Sequence, residues 1–184
     1  MKLAAFPKCF MDQLVVERSM SVFDWIEMAA DLPIDGLELY DGFLQTLDEG
    51  YLERVRLAME RHHLAMPMLC CSPDFTQPDP AVRRTEITRE KEMIDVTVAL
   101  GGSFCRVLSG QRRLEVSRGE GVRYVVESLR ELLEKVPVVK LFPVGTYPGD
   151  NHGDGYRDYR QHNDHLEQSK TSNGYLLVAH VIAR

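Results

Sequence analysis

Two charged residues stand inside runs that otherwise read as apolar strands: Glu38 in Gly36-Leu37-Glu38-Leu39-Tyr40 and Arg106 in Phe104-Cys105-Arg106-Val107-Leu108. A buried charge without a partner is costly, whereas a carboxylate and a guanidinium buried together satisfy one another. Substrate contact by either is the alternative reading. A second group comes late in the chain. Asp150, His152 and Asp154 offer oxygen and nitrogen donors suited to a Mn, Mg or Zn ion, and His162-Asn163-Asp164-His165 sets two histidines at helical spacing. Histidines in so polar and aperiodic a segment are more often solvated than ligated. The four cysteines, at 9, 70, 71 and 105, form no CxxC pair and no Cys/His spacing of a zinc module. Cys70, Cys71 and Cys105 sit in strand-like runs and read as buried free thiols. His62 and His63 close a helical stretch, where a basic group favours the negative end of the helix dipole.

The elements that must position these residues alternate regularly. Strand-like runs cover Ala4 to Phe10, Gly36 to Tyr40, Met66 to Cys71, Phe104 to Leu108 and Val138 to Val144. Their starts are 32, 30, 38 and 34 residues apart, close to the length of a βαβ repeat. Helices fill the intervals. Ser21 is placed to cap one that runs to Ala30, with Val22, Trp25, Ile26 and Ala29 on one face. The next spans Asp48 to about His63 and turns Tyr51, Leu52, Val55, Leu57, Ala58 and Met59 mostly inward. A third runs from about Pro80 to Leu100 and stops at Gly101-Gly102; a fourth runs from Gly121 to Lys135 before Pro137. After residue 135 the character changes. All eight methionines and all four cysteines precede that point, whereas four of six histidines and four of seven tyrosines follow it. Residues 145–173 have no sustained period and read as loop; Tyr175 to Ile182 recovers an apolar run that could form a terminal strand.

Composition excludes several functions. With 44% hydrophobic residues, 27% charged residues and a net charge of −6, the chain reads as a mildly acidic globular protein. It lacks the basic stripe of a nucleic-acid binder, since Arg83-Arg84 and Arg112-Arg113 are isolated pairs. Pro7-Lys8 interrupts the start before a signal-peptide core forms, and no apolar run has membrane-spanning length. The expected location is the cytoplasm.

The strand Asp35-Gly36-Leu37-Glu38-Leu39-Tyr40-Asp41 resembles the G-h-E-h second strand of the xylose isomerase-like TIM barrels, the superfamily of sugar phosphate isomerases and epimerases, AP endonuclease family 2 hydrolases and inosose dehydratases. Strand one with helix Ser21 to Ala30 resembles the family opening. The helix ending Ala99-Leu100-Gly101-Gly102 resembles its third helix, and Phe104-Cys105-Arg106-Val107-Leu108-Ser109-Gly110 its fourth strand. The likeness covers residues 1 to about 135, and Asp150-Asn151-His152-Gly153 stands roughly where family members carry E-N-H before a glycine turn, with aspartate in place of glutamate. A complete barrel needs about 250 residues and eight units. The expected fold is therefore α/β, a partial (β/α)8 barrel of about four to five units over residues 1–144 with an irregular tail over 145–184.

The resemblance implies a small sugar or polyol substrate, a divalent metal held by carboxylates and histidine of later strands, and carboxylates that move protons beside a carbonyl. Carried onto this sequence, Asp150 and His152 are the metal candidates, and Glu38 and Arg106 the catalytic ones. In a barrel Leu37 and Leu39 face the helices, so Glu38 points inside. Alternate strands share interior layers, which brings Glu38 and Arg106 toward one another. Active sites lie at the carboxyl ends of barrel strands, making Lys8, Tyr40, Asp41, Ser72, Ser109 and Gln111 the rim candidates for substrate binding. Two rivals stay open. One is a truncated or frame-disrupted, non-catalytic fragment that self-associates through an open sheet edge. The other is a small doubly wound domain, disfavoured because no glycine-rich loop follows the first strand.

Overall fold

The computed structural model of the chain describes residues 2–134 and, further on, the backbone of a strand at residues 179–182. Helix α1 (Val22–Ala29) starts where Ser21 closes a reciprocal cap: its Oγ accepts from the Asp24 amide and the Asp24 carboxylate accepts from the Ser21 amide at 2.8 Å. The predicted stripe of Val22, Trp25, Ile26 and Ala29 is buried, each large aliphatic side chain contributing about 1.5–3 kcal/mol. Helix α2 (Glu49–Arg61) buries Tyr51, Leu52, Val55, Ala58 and Met59. Leu57 stays exposed, because two residues turn a helix by on the order of 200° and carry it away from Val55.

Helix α3 (Pro80–Ala99) has Asp79 as its cap and Pro80 in its first turn, where the missing N–H costs nothing. It ends as Gly101-Gly102 predicts. Gly101 takes φ +80°, and the Gly101 and Gly102 amides donate back to the Val98 and Thr97 carbonyls. Helix α4 (Arg118–Leu133) begins three residues before the expected Gly121. The reason is a second reciprocal cap, Ser117 with Glu120, which fixes the first turn despite Gly119 and Gly121 within it. Lys135 lies outside the described residues.

The strands are shorter than their apolar runs. β1 is Ala4–Ala5 rather than Ala4 to Phe10: Pro7 cannot donate to a ladder, and Lys8–Phe10 coils into a 3₁₀ turn followed by a π-helical turn at Asp12–Val16 that buries Leu14. The second strand reads as β2 (Gly36–Leu37) and β3 (Leu39–Tyr40). At the break, the Glu38 amide reaches the Ala5 carbonyl of β1 and the Leu37 amide reaches Ala65 on the opposite side, so one strand joins both ladders. β4 is Met68–Cys70, its start set by Pro67, and β5 is Phe104–Val107.

These strands lie side by side in chain order and all parallel: Ala4 opposite Gly36, Tyr40 opposite Cys70, and Cys70 opposite Arg106. A doubly wound sheet doubles back past its first strand. This one winds in a single direction, as a barrel wall does. Alternation separates its faces. Leu37, Leu39, Leu69, Cys71, Cys105 and Val107 are buried with the helices, whereas Glu38, Tyr40, Met68 and Arg106 on the other face are half-buried. β6 (Ala179–Ile182) pairs antiparallel with β5, Phe104 opposite Ile182 and Val107 opposite Ala179. Residues 179–182 of the expected terminal run thus form a strand, and it covers the β5 edge.

Candidate functional site

The inner face of the wall carries a row of polar side chains. Tyr40, Cys70 and Arg106 stand level across three neighbouring strands, and Glu38 lies one inward step before Tyr40. Cys70 feels charges on both sides: burial pushes its thiol up to about 11, the Arg106 cation pulls it down and the Glu38 carboxylate pushes it up. By register Glu38 is level with Met68 and Phe104, so its backbone lies two strands across and two residues along from Arg106, roughly 12 Å away. The Nε of Arg106 is buried and meets no hydrogen-bond acceptor among the described residues. Such an N–H is expensive to leave unpaired.

The rim candidates fall at the carboxyl ends of the strands. Lys8 is exposed on the turn after β1. Tyr40 ends β3, its ring edge-on to Phe43, and its hydroxyl hydrogen-bonds the exposed Ser72 beyond β4. Burial, then the adjacent Asp41 carboxylate, raise the Tyr40 phenol above its ordinary value, so it is a hydrogen-bond donor at neutral pH. Asp41 turns toward α3, its side chain largely buried. Its Oδ2 accepts from Arg89 of α3 at 2.7 Å, and its Oδ1 is buried without a partner among the described residues. The pair borders a cleft of about 310 Å³ lined also by Leu44, Gln45, Leu47 and Glu92. Ser109 and Gln111 lie on the loop after β5. Asp150, His152, His162 and His165 lie outside the described residues.

A clasp that sequence reasoning missed holds this rim. Arg113 donates to both oxygens of Asp74, at 3.1 and 2.5 Å. The same carboxylate accepts from the Thr76 hydroxyl and the Gln111 amide, and the Gln111 carbonyl accepts from Thr76 at 2.5 Å. Burial opposes the Asp74 charge, yet the Arg113, Thr76 and Gln111 donors outweigh it and hold the carboxyl below its ordinary range. Gly110 makes the approach feasible, with φ +122° and no Cβ to strike Asp74. The backbone of Gln111 therefore ties the loop after β5 to the loop after β4. The Arg112-Arg113 pair, isolated in the sequence, was the available signal.

On the opposite face of the sheet, α3 brings Glu90 against Cys71 and Cys105. All three are buried, Glu90 being 2% exposed. The Cys71 and Cys105 sulfurs lie 3.8 Å apart, and the Cys105 sulfur lies 3.4 Å from Glu90 Oε1. Burial, then the Cys105 thiol, push the Glu90 carboxyl up to about 10, so it keeps its proton at neutral pH. A hydrogen bond with Cys105, then burial, push the Cys71 thiol up. The cysteines are buried free thiols, as read from the sequence. The signal for Glu90 was its place in the buried stripe Ile87, Glu90, Ile94, Thr97 at helical spacing.

A hard divalent ion of the kind the fold implies needs several oxygen or nitrogen donors converging from one side. Among the described strand positions that face inward, Glu38 is the one carboxylate, and Arg106 brings a competing positive charge. The described residues therefore do not form that site. The Cys71, Glu90 and Cys105 cluster is on the helix side of the wall and is a separate feature.

A family model described as xylose isomerase-like TIM barrel matches residues 26–139. Solved structures share the fold. D-psicose 3-epimerase from Clostridium cellulolyticum H10, solved with D-tagatose, superposes with TM-score 0.59 at 14% identity, over 73% of this chain and 48% of that one. The probable 3-DHS dehydratase AsbF from Bacillus anthracis gives 0.56 at 20% identity, over 73% and 47%. The 3-keto-D-glucoside 4-epimerase YcjR from E. coli, in its apo form, gives 0.54 at 16% identity, over 73% and 51%. The chain spans about half the length of these structures. No curated protein sequence matches it significantly.

Proposed function

The chain belongs to the xylose isomerase-like TIM barrel family, and from that premise we propose that it forms the substrate-facing wall of a sugar isomerase or epimerase acting on a small sugar or polyol. The observation that carries this reading is the inner row itself. A sheet face with Glu38, Tyr40 and Arg106 on it, opposite a face of leucines and valine, presents one carboxylate, one phenol and one guanidinium N–H toward the barrel axis. A polyhydroxylated ligand offers acceptors to Arg106 Nε and donors to Glu38.

In this reading Glu38 accepts a proton from carbon beside a carbonyl or from a hydroxyl, and Arg106 stabilises the negative charge that develops on oxygen. Tyr40 and Ser72 bind hydroxyls at the rim; Lys8, Asp41, Ser109 and Gln111 line the mouth. Asp150 and His152 remain the proposed oxygen and nitrogen ligands of a divalent ion. Epimerases among the solved neighbours favour proton transfer over hydrolysis as the reaction class.

Binding tests the assignment without requiring turnover. A ketose or polyol is expected to raise the Tm of the wild type, and E38Q and R106Q are each expected to weaken binding about tenfold or more. A panel of ketoses, aldoses and polyols that leaves the Tm unmoved would refute the assignment, as would an undiminished shift in both variants.

A further inference from the structure

We infer that Cys71, Glu90 and Cys105 form a structural site for a soft, tetrahedral divalent cation, zinc above all, clamping α3 onto the wall independently of any sugar chemistry. The three side chains come from three elements: Cys71 follows β4, Cys105 is in β5 and Glu90 is on α3. Their ligand atoms all lie within 4.8 Å of one another. Zinc with Zn–S near 2.3 Å and Zn–O near 2.0–2.2 Å sets its ligand atoms apart by about 3.8 Å from sulfur to sulfur and about 3.5 Å from sulfur to oxygen. The observed separations are 3.8 and 3.4 Å. Thr97, fully buried beside Cys105, donates its hydroxyl to the Met93 carbonyl at 2.7 Å and leaves an oxygen lone pair near the sulfur.

Burial argues in the same direction. A carboxyl that is 2% exposed among leucines, valines and isoleucines weakens an apolar interface, and a leucine there would pack at no such cost. Two thiolates and a carboxylate together hold a divalent ion, which accounts for their company. Three protons leave for one divalent ion, so the occupied site keeps one negative charge. On binding, Cys71 and Cys105 release their thiol protons and Glu90 its carboxyl proton to solvent, and the ion exchanges hydration water for two sulfurs and an oxygen. No oxidation is involved. The site lies on the helix side of the sheet, away from Glu38 and Arg106, so its metal is not one that acts on substrate.

The test uses the full chain, refolded under reducing conditions with zinc and freed of excess ion, with metal content read by mass spectrometry. A parallel sample takes cobalt(II), whose thiolate charge-transfer absorption reports sulfur ligands. We expect one zinc per chain, a cobalt–thiolate band, and a Tm several degrees above that of the protein refolded in chelator. C71A/C105A is expected to lose all three signals. E90Q is expected to keep the band but bind zinc at least about tenfold more weakly. A wild type that takes up no zinc overturns the inference; so does equal zinc in wild type and C71A/C105A, or a Cys71–Cys105 disulfide in metal-free protein. Should C71A/C105A fail to fold, the wild-type cobalt spectrum decides, since a bound ion without a thiolate band rejects the site.

Discussion

At the residue scale, Asp74 shows how one side chain sets the shape of the rim. Its carboxylate gathers Arg113, Thr76 and Gln111, while its own amide donates to Glu86 of α3. Because the folded-state pKa is held below the ordinary value, the ionised carboxylate stabilises the fold at pH above about 4, and that stabilisation is lost as pH falls through the folded value. D74N is therefore expected to cost about 1–2 kcal/mol at neutral pH and to flatten the acid limb of the stability curve. Urea melts of both proteins between pH 2 and pH 7 check this. A constant difference across that range would mean that the Asp74 charge plays no part. Arg106 is the contrasting case, a buried N–H with no acceptor among the described residues, which is where a ligand hydroxyl has most to gain.

At the scale of the element, capping and ladder chemistry make separate predictions. S117A removes one half of the reciprocal cap that moves the start of α4 to Arg118, and a loss of about 1 kcal/mol in chemical denaturation is expected. β6 offers a sharper test. The Phe104 amide donates to Pro67 and the Arg106 carbonyl accepts from Cys71, so the Cys105 and Val107 amides point the other way, toward β6. Deleting residues 179–184 is expected to speed hydrogen exchange at Cys105 and Val107 while Phe104 and Arg106 stay protected. Uniform exchange along β5, with or without the deletion, would contradict the pairing.

Most of the elements were legible because local chemistry and burial agree. Ser21, Asp79 with Pro80, and Gly101-Gly102 mark helix ends by mechanisms that need no tertiary context, and the stripe on α1 has a helical period. The failures have equally local causes. Pro7 stops β1 inside an apolar run, and the Ser117–Glu120 cap outranks the glycine chosen as the start of α4. Alternation around Glu38 was enough to assign the two faces of the second strand. Nothing local could reveal the Asp74–Arg113 clasp, whose partners are 39 residues apart, or the meeting of Cys71, Glu90 and Cys105. Those are products of strand register.

For the molecule as a whole, the parallel sheet in chain order, with leucines toward the helices and polar groups toward the axis, is the arrangement of a barrel wall. Fold alone does not choose a reaction; under the proposed function, the inner row suits one that needs a carboxylate near a polyhydroxylated carbon chain. The most direct test is solvent exchange. Ketoses incubated with the wild type in D₂O, with Mn or Mg supplied, are expected to take up deuterium at the carbon beside the carbonyl. E38Q is expected to abolish that uptake while retaining the fold. No deuterium uptake by the wild type from any ketose tried, or equal uptake with E38Q, would contradict the account.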